Sequence, residues 1–258
     1  MPNQFGFSID SEIIPQHKQF KVLLIGDTCK DVYVYGKCSR LSPEAPVPVL
    51  VETHKTYSEG MAWNVKNNLQ SFGVEVYLMT SMEQPVKTRY VDVRSNQQIM
   101  RCDQNDQVSE FKYDLPEEKF DALVISDYNK GFLLEEDIEY ICTNHPNVFI
   151  DTKKILGPWV KDARYIKIND YEYRNSEPYL TEDIKYKIIH TMGGKGCEFA
   201  ERKYPTKKVE VKDLSGAGDT FIAGLVVKYI ETEDIEKSIK FANQCASKVV
   251  TQKGVAVI

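Results

Sequence analysis

The segment DLSGAGDTFIAG, residues 213 to 224, brings together residue types suited to phosphoryl chemistry. Gly216, Ala217 and Gly218 carry no bulky side chain, so their backbone N–H groups can approach a ligand closely. The apolar run that follows predicts a helix to about Tyr229, and its N-terminus adds free N–H donors and the positive end of a dipole. Such a turn suits an anion. Asp219 then sits where negative charge is unfavourable, unless it takes a proton from an attacking hydroxyl while the amides hold the transferring phosphoryl group. A plain helix N-cap has the same composition, and spacing alone leaves both readings open.

The rest of the chain supplies elements that could position this turn. KVLLIGD, ALVISD and NVFIDTKK read as buried strands that end in Asp27, Asp127 and Asp151. Ala62, Val65, Leu69 and Phe72 fall at helical spacing with Gly73 as the stop, and a strand follows over Val74 to Met79. A further helix is expected near Glu135 to Cys142. KTRYVDVRSNQQIMRCD predicts a hairpin around Ser95-Asn96, whereas prolines 43, 46 and 48 allow only an edge or lid strand near Val47 to Val51. KIIHT and CEFA read as strands around the turn MGGKG, which in isolation is an ordinary hairpin loop. Past Asn169 the pattern is otherwise less regular. A last helix, capped by Asp234, places Ile235, Ile239, Ala242, Ala246 and Val249 on one face. Strands alternating with helices predict an α/β fold with a mainly parallel sheet covered on both faces, and such sheets bind ligands at the carboxyl ends of their strands.

Composition narrows the function. A net charge of −5 with 28% charged residues gives no general attraction to nucleic acid or to an anionic membrane. No stretch approaches the ~20 apolar residues of a membrane span. Six cysteines and four histidines are scattered without a CxxC or HExxH pattern. That spacing argues against a zinc site or a disulfide framework and fits a cytoplasmic protein. With 42% hydrophobic residues and no linker or repeat, residues 1–258 are expected to form one domain, with residues 1 to about 20 as a loose lead-in.

DLSGAGDTFIAG resembles the C-terminal signature of the ribokinase-like (PfkB) carbohydrate kinases, with Ser215 where the family often has threonine. GDTCKDVYVYGKCSRLSPEAPVPV, RSNQQIMRCD, LVISDYNKG and FIDTKK resemble the kinase domain of bacterial heptose 7-phosphate kinases, a domain often fused to an adenylyltransferase half that is absent here. The resemblance runs from about Lys21 to the C-terminus. It implies a three-layer ribokinase-like sandwich with a small β lid, its strands within about 36–52 and 87–102. It also implies ATP-dependent phosphorylation of a sugar or sugar phosphate, with heptose 7-phosphate as first choice and O1 as acceptor.

Residue roles follow from the same resemblance. Asp219 becomes the base, and Gly216, Ala217 and Gly218 form the anion hole. Asp27, Asp31, Gly60 and Asn64 become sugar-binding, although Met61 replaces the family's second glycine beside Gly60. Asn169 and Glu172 match the Asn-x-x-Glu motif that organises Mg²⁺, often through water, and the nucleotide phosphates. Thr191, Gly193 and Gly196 match the turn that cradles ATP, and Asn243 falls at the adenine pocket. Asp213 and Ser215 mark the family's monovalent-cation site, which would hold K⁺. Arg94, Arg101, Lys130 and Lys153 are the cations expected to meet a phosphorylated acceptor or the nucleotide.

Two stretches are shorter than the resemblance predicts, at MEQPV and after the Asn-x-x-Glu motif. Both losses trim peripheral material, and an exposed sheet edge there suggests a homodimer. A kinase for another sugar or a nucleoside, and an inactive sugar or nucleotide sensor, stay open as alternatives.

Overall fold

Alternation along one short strand organises the whole sandwich. Within Lys21–Gly26, Val22 and Leu24 belong to one apolar cluster while Leu23 and Ile25 belong to another, and all four are fully buried. Successive strand side chains point to opposite faces, so a continuous apolar run must be covered on both sides. The computed structural model describes residues 19–112, 114–252 and 257–258. All but the end of the expected N-terminal lead-in lies outside the described residues.

The strands, in chain order, are β1 (Lys21–Gly26), β2 (Thr28–Leu41), β3 (Pro48–Met61), β4 (Glu75–Met79), β5 (Val86–Asp92) and β6 (Gln97–Gln104), followed by β7 (Ala122–Asp127), β8 (Val148–Thr152), β9 (Tyr165–Asn169), β10 (Ile188–Thr191), β11 (Cys197–Phe199) and β12 (Arg202–Tyr204). The helices are α1 (Ala62–Ser71), α2 (Glu135–Asn144), α3 (Asp170–Ser176), α4 (Glu182–Lys185), α5 (Ala217–Thr232) and α6 (Ile235–Val249). The central sheet runs β12-β11-β10-β9-β8-β7-β1-β4. It is parallel from β10 to β4, with β11 and β12 antiparallel at one end. Residues of α1, α5 and α6 pack in the first apolar cluster and residues of α2 in the second. This is the expected three-layer α/β sandwich. Among the described residues, no helix is long and apolar enough to cross a membrane.

Several predicted elements stand where the sequence put them. Gly73 ends α1 at φ 80°, Asn96 turns the β5–β6 hairpin at φ 55°, and the Asp234 carboxylate accepts from Lys237 N at 3.0 Å to cap α6. β3 is an edge strand and begins at Pro48, which agrees with the proline argument.

The lid is larger than expected. Its four strands, in the order β3-β2-β5-β6, cover 28–41 and 48–61 as well as the hairpin at 86–104. The stretch after β1, which reads as a polar turn, is the first half of β2. Its polar residues are strand residues, Thr28 and Asp31 buried and Lys30 exposed. Strand β9 is also missing from the sequence reading, because Lys167 interrupts its apolar run. The residue paired with Lys167 on β8 is Asp151, so the charge that breaks the pattern is matched across the strands.

Gly26 marks the tightest backbone approach. A Cβ there would lie 2.0 Å from Ser126 O, on the neighbouring strand β7. Gly26→Ala is therefore expected to cost roughly 3 kcal/mol and lower the melting temperature by about 6–12 °C in a thermal scan.

Candidate active site

Helix α5 begins on a left-handed residue. Gly216 takes φ 79° and ψ −2°, and Asp213 Oδ1 accepts from Ser215 N at 2.8 Å to fix the turn before it. Thr220 N donates to Gly216 O at 2.9 Å, the first bond of the helix, so the preceding first-turn amides are the ones the helix cannot pair. The amide of Ala217 is partly used, donating to Leu214 O at 3.3 Å. Gly218 faces a cation: a Cβ on it would lie 2.8 Å from Lys167 Nζ. The amide turn is therefore backed by an ammonium group, and the two together suit an anion.

Asp219 is buried beside this turn, with Asn64 Nδ2 donating to its Oδ2 at 2.9 Å and the Tyr128 hydroxyl donating to its Oδ1 at 2.8 Å. Burial raises its carboxyl above the ordinary 3.8. The Asn64 bond opposes that rise, Asp151 adds to it, and Tyr128 and Lys167 oppose it. Asn64 is itself held from behind. Asn68 Nδ2 donates to Asn64 Oδ1 at 3.2 Å, and Thr220 Oγ1 donates to Asn68 Oδ1 at 3.2 Å.

Lys167, Asp151, Lys153 and Glu172 form a charged chain across the strand ends. Lys167 Nζ lies 2.7 Å from Asp151 Oδ2, and Lys153 Nζ lies 3.6 Å from Asp151 Oδ1 and 2.5 Å from Glu172 Oε1. Burial alone would raise Asp151, but the two lysines outweigh it and hold its carboxyl below the usual range. Glu172 closes a capping box with Asn169. Its Oε2 accepts from Asn169 N at 2.7 Å, and Glu172 N donates to Asn169 Oδ1 at 3.0 Å. Both carboxylate oxygens are thus engaged by protein donors. Among the described residues, no group of three His, Cys, Asp or Glu side chains is placed to hold a metal ion.

A cavity of about 770 Å³ opens over the turn, lined on its polar side by Tyr128, Asp151, Lys153, Lys167 and Asp219. Thr191, Gly193, Gly196 and Asn243 also line it, together with the apolar Val209, Val211, Leu214 and Val250. Gly196, at φ 91°, must be glycine because a Cβ would lie 2.1 Å from Tyr204 O.

Residues 158–257 match the family described as pfkB family carbohydrate kinase. The chain is 30% identical to the bifunctional protein HldE of Helicobacter pylori, over 92% of this chain and 64% of that protein. It is 28% identical to HldE of a Nitratiruptor species, over 92% and 62%. Residues 158–257 are thus similar to a PfkB carbohydrate kinase domain. It spans less than two thirds of the length of these relatives. Among solved structures, ribokinase from Thermotoga maritima superposes with a TM-score of 0.68 at 16% identity, covering 92% of this chain and 94% of that one. Arabidopsis thaliana ribokinase complexed with ribose and ATP gives 0.67 at 13%, over 92% and 94%. These similarities establish the ribokinase-like fold.

Around this cavity most predicted residues converge and a few do not. Asp27 is buried. Its Oδ2 accepts from Tyr128 N at 2.7 Å and Lys130 N at 3.3 Å, while Oδ1 has no hydrogen-bond partner among the described residues. Asp31, on β2, is ion-paired with Arg89 of β5, so one of its oxygens is already taken. Gly60 lets Asp31 pack, since a Cβ there would stand 2.3 Å from Asp31 Oδ2. Met61 keeps the backbone of the missing glycine at φ 60° and ψ −130°, a conformation unfavourable for a side-chain-bearing residue. Asn243 spends its amide on Tyr204 O at 3.0 Å.

The basic candidates separate. Lys153 lies in the cavity wall, but Lys130 pairs with Asp106 at 2.6 Å, Arg101 pairs with Asp103 at 2.8 Å, and Arg94 is exposed beside the lid hairpin turn. Lys167, Tyr128, Lys87 and Arg89 were not singled out from sequence. Only the cross-strand register, Asp151 with Lys167 and Asp31 with Lys87, would have revealed two of them.

Burial, and then the neighbouring Asp127, raise the Asp27 carboxyl to about 6. A carboxyl raised on folding contributes stability below its unfolded value of 3.8 and loses it as pH climbs through about 6. The displacement corresponds to roughly 3 kcal/mol. Asp27→Asn should remove that part of the fall in melting temperature between about pH 4 and 6, as read by thermal scans across pH.

Proposed function

We propose that this domain transfers the γ-phosphoryl group of ATP to a hydroxyl of a sugar or sugar phosphate. The observation that carries the reading is Asp219, a buried carboxylate at the first turn of α5, beside the Gly218 amide and the Lys167 ammonium. A hydroxyl that donates to Asp219 would lie next to a site already arranged for an anion. Asp219 takes the hydroxyl proton as oxygen bonds to phosphorus. The first-turn amides and Lys167 meet the charge that develops on the phosphoryl oxygens, and the bond to the ADP oxygen breaks.

The nucleotide fits the rest of the cavity, its phosphates toward Thr191, Gly193 and Gly196 and its base beside Val209, Val211 and Val250. Magnesium is bound largely by phosphate oxygens and water in such sites. The present residues fit that mode, because Glu172 and Asn169 are occupied by each other and by Lys153 and would face the ion through water.

Heptose 7-phosphate is the first-choice acceptor, supported by 30% identity to a bifunctional HldE over 92% of the chain. The lid supports a phosphorylated acceptor independently of that likeness. Lys87 and Arg89 lie on the same lid face as Asp31 and Tyr33, and Lys87 Nζ reaches 5.5 Å from the Tyr128 ring. Met61 favours a second reading, a different sugar or a nucleoside, because it brings a side chain where the family has none.

Asp219→Asn should lower kcat by about 10³ or more while leaving ATP affinity within a few-fold of wild type. Lys167→Met should cost about 10²–10³ in kcat. Both are read by ADP release and by calorimetric titration with ATP, and unchanged turnover in Asp219→Asn would remove it from the mechanism. Among heptose 7-phosphate, hexoses, ketoses and nucleosides, the heptose phosphate should give the highest kcat/KM. Ligand-induced stabilisation with no turnover across the panel would identify a binding protein instead.

A further inference from the structure

The two oxygens of Asp219 are held in different ways. Oδ2 faces inward to Asn64, which Asn68 and Thr220 fix through buried hydrogen bonds, and all three residues are at most 1% exposed. Oδ1 faces Tyr128, a residue of the cavity wall, whose hydroxyl donates at 2.8 Å. Tyr128 also donates its backbone N–H to Asp27 Oδ2 at 2.7 Å. Its ring has Lys153 Nζ 5.3 Å from the centroid and Lys87 Nζ, from lid strand β5, 5.5 Å away. One residue therefore meets Asp219 through its hydroxyl, Asp27 through its backbone N–H and a lid lysine through its ring.

We propose that Tyr128 is a positioning residue that masks the base: its hydroxyl occupies Asp219 Oδ1 until the acceptor's hydroxyl takes that place. This inference rests on the kinase reading above. With the acceptor absent, each oxygen of Asp219 already accepts a hydrogen bond from the protein, Oδ2 from Asn64 and Oδ1 from Tyr128, and the Tyr128 hydroxyl competes with water for Oδ1. The masked reaction is ATP hydrolysis. In it a water oxygen bonds to the γ-phosphorus, the bond from phosphorus to the ADP oxygen breaks, and the water's proton passes through Asp219 to solvent, leaving ADP and inorganic phosphate. The acceptor hydroxyl relieves the mask by supplying the hydrogen bond that Tyr128 gives up. The lid lysine beside the ring ties that exchange to lid position.

The phenol remains a donor, because burial, and next the Asp219 charge, hold its pKa well above 10. The other charged or titratable groups facing this pair are Asp151 of β8, Lys167 of β9, Lys153, Lys87 of β5 and Cys29 of β2. None of them bonds to either oxygen of Asp219 within hydrogen-bonding distance.

The test uses the full chain with MgATP alone, then with the best acceptor from the panel. Tyr128→Phe should raise acceptor-free ADP release about tenfold, and Tyr128→Phe/Asp219→Asn should return it to background. Loss of the donor should also move the acidic limb of kcat/KM upward by about one pH unit, a change that a merely structural role would not produce. An unchanged melting temperature and ATP titration confirm that the variant is folded. Acceptor-free release no faster than wild type with an unmoved acidic limb overturns the mask, as does release in Tyr128→Phe that persists without Asp219. Full turnover in Asp219→Asn alone would remove Asp219 as the base, and no turnover of the wild type with any acceptor would defeat the kinase reading, so these failures are separable from that of the mask.

Discussion

The site is organised around a buried carboxylate beside an amide turn suited to an anion. Asp219 and an incoming polyphosphate repel each other, and burial already disfavours the charge on Asp219. The fold answers with two lysines, of which Lys167 reaches the amide turn and Lys153 bridges Asp151 and Glu172. Each lysine is paired with a carboxylate, so no cation is buried alone. The arrangement places the Lys167 ammonium against the amide turn, with Asp151 as its buried counter-charge.

That charge pattern explains features that look unrelated along the chain. β9 tolerates a lysine at its centre because β8 supplies Asp151 in register. The Asn-x-x-Glu motif is a helix cap and a lysine anchor at once, since Glu172 accepts from Asn169 N and also pairs with Lys153. The asparagine at position 64, expected to bind sugar, donates to the base while Asn68 and Thr220 hold it from behind.

The readable part of the sequence was the part governed by local rules. β1, β7 and β8 are apolar runs, Gly73 and Asp234 are caps, and Pro48 confines β3 to an edge. The GAGD turn was legible because glycine and a following apolar helix have one common local geometry. What failed to read depends on partners far away in sequence. Lys167 reads as a strand breaker until Asp151 is set beside it. The start of β2 reads as a turn because Thr28, Lys30 and Asp31 interrupt any apolar alternation, and the Arg89 that pairs with Asp31 is far away in sequence. Arg94 and Arg101 stood out as cations in a segment that resembles the heptose kinases, and neither charge nor resemblance says on which side of a ribbon a residue lies.

The lid is attached to the sandwich at points that are also parts of the site. Asp27 is the single residue between β1 and β2, and Met61 ends β3 where α1 begins, with Ala62 N donating to Asp27 O at 2.9 Å. Two of the lid's connections are therefore stitched together at Asp27, and one of them carries an unfavourable backbone angle. Tilting the ribbon bends those same joints. A molecule resting on Asp27 would press on the pivot itself, so occupancy and closure behave as one mechanical coordinate.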